Sequence, residues 1–188
     1  MKYRFPLLGE PLALDLVNTR IRRGGTDVDL LDSPAALSAW LHAEHERVAW
    51  TGAIDAAGLA NVRALRDAID RLLRARRDHV RPARADVDRV NRTLAPGRAL
   101  PQLGWGTRGP VLKPLPAPAQ RRRLLHLLAS DAVTLLTGPC ADRVRECAHP
   151  DCRLQFVAHN PRRHWCSGRL CGNRARVAKH YRHHYQAM

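Results

Sequence analysis

Apolar residues recur at steps of three and four along most of this chain, and that spacing predicts helices. Leu59, Val62, Leu65, Ile69, Leu72 and Leu73 define a long amphipathic helix over about 54–79, with Arg63, Arg66, Arg71, Arg74, Arg76 and Arg77 falling mostly between them. Ala36, Leu37, Trp40 and Leu41 mark an earlier helix. Ser33 suits its N-cap and Pro34 its first turn. Val87, Val90 and Leu94 point inward from a helix over about 83–94 that Pro96-Gly97 ends. Leu124, Leu125, Leu127, Leu128, Val133, Leu135 and Leu136 make a helix over about 119–137 apolar enough to sit centrally, and Gly138-Pro139 stops it.

The remaining stretches break this period. Residues 1–20 read as an extended lead followed by a helical turn, and residues 21–33 as a polar loop around Gly24-Gly25. Between 98 and 116 Gly and Pro are dense, which fits a small β-hairpin turning near Gly106–Gly109. Its prolines keep it from being a central strand. The fold class is therefore mainly α (α+β). An N-terminal helical domain with a small β-hairpin spans 1–139, and a smaller module spans 140–188.

That module carries the most informative pattern. Cys147/Cys152 and Cys166/Cys171 form two pairs, each with four intervening residues, and thirteen residues separate the pairs. Two short loops brought together can place four sulfurs around one Zn²⁺. Two disulfides or four unrelated buried thiols are the alternatives, and paired spacing in a chain without secretion features favours the metal. A closed four-sulfur site leaves no open position for water or substrate, so one structural Zn²⁺ is expected. Val144–Glu146 reads as a strand leading to the first pair. Leu154–Ala158 and Arg163–Trp165 read as a hairpin turning at Asn160-Pro161, with Cys171 in the first turn of a helix over about 168–186. Knuckle, hairpin and ligand-bearing helix together make a treble-clef arrangement. Cys140, the odd cysteine, reads as a simple thiol rather than a fifth ligand.

The last helix has two faces. Leu170, Arg174, Val177, Tyr181 and Tyr185 share the face expected to pack inward, and Arg169, Asn173, Arg176, His180 and His183 share the outer one. The outer face offers donors suited to phosphates and base edges. Arg162, Arg163, Lys179 and Arg182 add charge nearby. Arg174 has two readings, as an internal pin or as a contact reached along its apolar stem. The net charge is +15, and residues 141–188 are the densest part, with ten Lys+Arg against three Asp+Glu. Such charge attracts polyanions, chiefly nucleic acid, although a general Arg-rich bias also contributes.

At the other end, Asp15, Asn18 and Thr19 put a carboxylate, an amide and a hydroxyl within five positions, followed by Arg20. They either line a ligand pocket or cap a helix end and satisfy backbone groups. No membrane span appears, and Glu10 and Asp15 interrupt the apolar start, so neither a signal peptide nor a membrane partner is expected. With an odd cysteine count this points to the cytoplasm. No nucleophile–base pair with diagnostic spacing is visible around Asp15, Asn18 or His42, and there is no Gly-rich phosphate loop, which argues against an enzyme.

The run CGNR at Cys171–Arg174 follows Arg163-His164-Trp165-Cys166-Ser167, and with Cys147 and Cys152 it resembles the CGNR zinc-finger family. ALDLVNTR at Ala13–Arg20 with LLDSPAALSAWL at Leu30–Leu41 resembles that family's usual N-terminal partner, the ABATE domain. The resemblance implies a bacterial stress-induced transcription regulator with a zinc finger that binds DNA and an N-terminal domain that binds a small ligand. A homodimer would extend the small footprint of one finger. The implied zinc ligands are Cys147, Cys152, Cys166 and Cys171. Two features depart from the family: Phe156 is followed by Val157-Ala158-His159-Asn160, without the usual acidic and hydroxyl residues, and His164 splits the usual Arg-Arg-Trp-Cys. An RNA- or ribosome-associated binder and a protein-interaction module are the rival readings; few aromatic residues are available for stacking on RNA bases.

Overall fold

The computed structural model describes residues 4–94, 103–106, 109–112 and 117–185. Its main core forms around a six-residue helix, α1 (Leu12–Val17), all of whose side chains are buried. A helix this short has mostly unpaired terminal N–H groups. One is met from a distance: Asp131 Oδ2 accepts from Ala13 N at 2.8 Å. Against α1 pack α3 (Ala56–Arg77) and α5 (Ala117–Thr137); α2 (Pro34–Ala43) packs on α3, and α4 (Arg84–Leu94) on α3 and α5.

Local chemistry fixes the helix ends. Ser33 Oγ accepts from Ala36 N at 3.1 Å and caps α2; Asp55 Oδ1 accepts from Gly58 N at 2.7 Å and caps α3. Arg74, Arg76 and Arg77 close α3 at its negative dipole end. After α5, a Cβ on Gly138 would stand 2.5 Å from Thr134 O, so only glycine lets the chain turn there. The apolar stripe of α3 faces inward as its spacing requires, with Leu65 and Ile69 at 1% and 0% exposure. Burying each such side chain contributes about 1.5–3 kcal/mol. On α4, Val90 is buried and Leu94 packs against the core, but Val87 is open to solvent. Asp86 instead holds α4 to α3 by accepting from Arg71 at 2.9 and 2.7 Å.

Among the described residues, three two-stranded antiparallel sheets complete the fold. The stretch read as a polar loop is a hairpin, β1 (Arg20–Arg23) and β2 (Thr26–Asp29), with Ile21 opposite Val28. Gly24 and Gly25 both have positive φ, the backbone that a two-residue hairpin turn demands. β3 (Leu103–Gly106) and β4 (Gly109–Leu112) form the expected second hairpin. β5 (Val144–Glu146) pairs with β6 (Gln155–Val157), register Arg145 to Phe156. Residues 163–165 form no strand, so the hairpin expected to turn at Asn160-Pro161 is replaced by β5–β6 pairing across the first knuckle.

The C-terminal segment is not hung on a linker. Ile21, Leu8, Val28 and Leu30 pack with Cys147, Cys152, Leu154, Phe156, Cys166 and Cys171 in a second core. Val144 and Val157 belong to the first. Polar ties cross the same seam. Asn18 Nδ2 donates to Gln155 O at 2.9 Å and its Oδ1 accepts from Gln155 N at 2.8 Å. Gln155 Nε2 donates to Asp70 at 2.6 Å, and Arg77 to Glu146 at 3.1 Å. The architecture is a mostly helical N-terminal region with small antiparallel hairpins and a C-terminal cysteine-cluster module resembling a treble clef.

Candidate metal centre and cationic helix

Each cysteine is placed by its local backbone. Cys147 leaves β5 with its N–H on Leu154 O at 2.9 Å, and the chain turns back as Cys152 N donates to His149 O at 2.9 Å. Cys171 sits in a π-turn (Gly168–Gly172) that Ser167 caps by accepting from Leu170 N at 3.3 Å. The chain then continues as α6 (Asn173–Tyr185). All four thiols are buried, and their sulfurs lie within 4.8 Å of one another.

The spacing decides between metal and disulfide. Cys152 and Cys166 Sγ are 3.8 Å apart, and Cys166 and Cys171 Sγ are 3.6 Å apart. A disulfide would bring a pair to about 2.05 Å. Four sulfurs at about 2.3 Å from one ion stand about 3.8 Å apart at tetrahedral angles. The cluster therefore fits one structural Zn²⁺. Without an ion the sulfurs compete for negative charge. Hydrogen bonds from Cys152 and Cys166 hold the Cys147 thiol far below its usual range, and Cys152 is in turn pushed up to about 12. Zn²⁺ removes that conflict by stabilising all four thiolates, so loading releases protons.

Supports around the sulfurs come from both ends of the chain. Cys166 N donates to Cys147 Sγ at 3.4 Å. Asp151, between the first two ligands, accepts from Gly25 N at 2.8 Å and Gly24 N at 3.2 Å, which docks the β1–β2 tip on the knuckle and lowers the Asp151 pKa. Arg163 is the main brace. It donates to Cys166 O at 2.7 Å, to Trp165 O and Val157 O at 3.2 Å, and to Glu10 Oε1 at 3.1 Å. Its guanidinium carbon lies 4.3 Å from the centre of the Phe156 ring. Glu10 Oε2 accepts from Val157 N at 2.8 Å. A lone buried acid within FPLLGEPLAL was the available sequence signal for this brace, but its partner lies 153 residues away.

The cations singled out from sequence divide into groups. Arg162, Arg169, Asn173, Arg174 and Arg176 are exposed. Arg163 is half-buried with its donors committed inward. Lys179 and Arg182 lie on α6, their side chains outside the described residues, as are those of His180, His183 and Tyr185. The face of α6 expected to pack inward does not: Leu170, Val177 and Tyr181 are 56%, 46% and 57% exposed, and Arg174 is exposed with them. The second core closes at the π-turn, leaving this stripe without a buried surface to join.

Asp15, Asn18, Thr19 and Arg20 each make internal bonds. Asp15 accepts from Arg47 at 2.6 Å and from Leu8 N at 3.3 Å. Burial raises its pKa to about 6 against the pull of Arg47. Asn18 clamps Gln155, as described. Thr19 Oγ1 donates to Leu16 O at 2.6 Å and accepts from Arg66 at 3.2 Å; Arg20 pairs with Asp67 at 3.6 Å. Arg66, 1% exposed, also forks onto Asp29 at 2.6 and 2.8 Å.

Comparison with known families agrees with this geometry. Residues 10–139 match ABATE, described as "Putative stress-induced transcription regulator", and residues 143–184 match the CGNR zinc finger. Neither description is that of an enzyme. A search among curated proteins gave no match. Among the described residues no helix is long and apolar enough to cross a membrane. The chain belongs to the ABATE family and is a regulatory protein whose carboxyl end is a CGNR zinc finger.

Proposed function

We propose that the protein is a transcription regulator that binds duplex DNA through the zinc-held start of α6, with residues 1–139 as its sensing part. One observation carries this reading. A closed thiolate centre fixes the root of a helix whose exposed side chains include Arg169, Asn173, Arg174 and Arg176, and no Asp or Glu follows Asp151 in the chain. Such a surface attracts phosphates, and the exposed carboxylate near it, Asp151 beside Arg174, is already bound to the Gly24 and Gly25 N–H groups. Asn and Arg are also the side chains that read adenine and guanine edges in the major groove. The footprint of one helix is small, and pairing of two copies on two half-sites would extend it.

The sensing part has a physical route to the finger. Arg47 joins Asp15 and Glu44 to the Glu10 backbone, and Glu10 in turn holds Arg163 and Val157 beside the metal ligands. The test is a salt titration of duplex binding with wild type and an Arg169→Ala/Arg176→Ala variant, with structured RNA as competitor. Both arginines are exposed, and among the described residues the one bond to either is long, Arg176 to Gly168 O at 3.5 Å, so the fold survives their loss. Losing two phosphate contacts lowers the log–log salt slope by about 2. An unchanged slope, or RNA displacing the duplex at equal concentration, would refute the DNA surface.

A further inference from the structure

A cavity of about 540 Å³ lies between the loop after α2 and α5, and none of the four cysteines lines it. That volume is within the range of about 300–1,000 Å³ common for small-molecule sites. Its apolar part is formed by buried Val48 and Leu124, half-buried Trp50 and Leu127, the last 38% exposed. The Trp50 ring is held in place by its Nε1–H on Gly52 O. The polar part holds two guanidinium groups, Arg47 and Arg123, and the imidazoles of His45 and His126, against a single acid, Glu46.

These side chains are not equivalent. Arg47 already serves Glu10 O, Asp15 and Glu44. Arg123 is exposed and makes no hydrogen bond or ion pair among the described residues. His126 has only a loose contact with Ser130 Oγ, at 3.4 Å. A free guanidinium beside an aromatic and aliphatic wall is the arrangement that takes a carboxylate on a ring system.

We infer that this cavity binds a small aromatic carboxylate, with Arg123 holding the anion and Val48, Trp50, Leu124 and Leu127 covering the ring. The inference rests on the sensing role proposed for residues 1–139 and names its ligand class. It is tested on zinc-loaded protein without DNA, so its failure leaves the DNA surface standing, and failure of the DNA surface leaves it standing.

The experiment is calorimetric titration with 2-naphthoate and its neutral isostere 2-naphthamide, on wild type, Arg123→Gln and Leu127→Asp. Both positions are exposed, so both variants fold. The expected result is one saturable site for naphthoate, weakened about tenfold or more by Arg123→Gln, by Leu127→Asp and by the change to the amide. No saturable binding of naphthoate overturns the inference. Equal affinity for the amide, or naphthoate binding unaffected by Arg123→Gln, overturns the anion-holding role.

Discussion

Replacing Asn18 by alanine removes the amide that bonds both the N–H and the C=O of Gln155, across a seam where Asn18 and Gln155 are each 1% exposed. Two backbone groups are then buried without these partners. Each costs about 1–3 kcal/mol, so the variant loses about 2–6 kcal/mol. Against a total stability of about 5–15 kcal/mol that is a large fraction. With a urea dependence of about 2–3 kcal/mol per molar, the unfolding midpoint of zinc-loaded protein falls by about 0.7–3 M. Asn18→Asp is the sharper control. It keeps an acceptor for Gln155 N but sets a carboxylate against Gln155 O, so it is at least as destabilised. A midpoint within about 0.3 M of wild type for the alanine variant would refute the clamp, because the loss of about 2–6 kcal/mol would then be missing.

Asp15 gives a pH prediction. Its folded pKa of about 6 lies above the ordinary 3.8. Between those values the folded state binds more protons, so this group makes stability fall as pH rises from about 4 to about 6, by up to about 3 kcal/mol. The wild-type minus Asp15→Asn difference in unfolding free energy carries that slope, with the zinc contribution common to both; a flat difference contradicts the buried ionisation. Arg163→Ala removes a brace rather than a nucleic-acid contact. Chelator stripping of zinc becomes several-fold faster while the salt slope of DNA binding changes by less than about 1. Arg163→Lys does not restore zinc retention, because a lysine cannot fork onto Cys166 O and Glu10 together; full rescue by lysine would show that charge alone matters there.

The helical body was legible from sequence because its stripes at 59–73 and 124–135 answer to one buried surface each, and because Ser33 and Gly138 act locally. The metal site was legible for a similar reason: four thiols at paired spacing leave few alternatives. The seam was not. β1–β2 presents only Ile21 and Val28 as apolar residues, too few to announce a strand pair, and its stability comes from docking on Asp151 and the second core. The inward face assigned to the last helix failed because period 3.6 shows which residues share a face, not whether another element exists to cover it. Asn18 and Arg163 were visible as polar residues of interest, but their partners, Gln155 and Glu10, are distant in sequence and no spacing rule connects them.

The C-terminal module and the root of α6 both depend on one zinc ion bound by Cys147, Cys152, Cys166 and Cys171. X-ray absorption at the zinc edge of the purified protein measures this directly. It should show one zinc per chain in a shell of four sulfurs at about 2.3 Å, with no nitrogen or oxygen neighbour. A mixed shell, or a preparation in which the zinc is absent and the thiols are paired as disulfides, would contradict it.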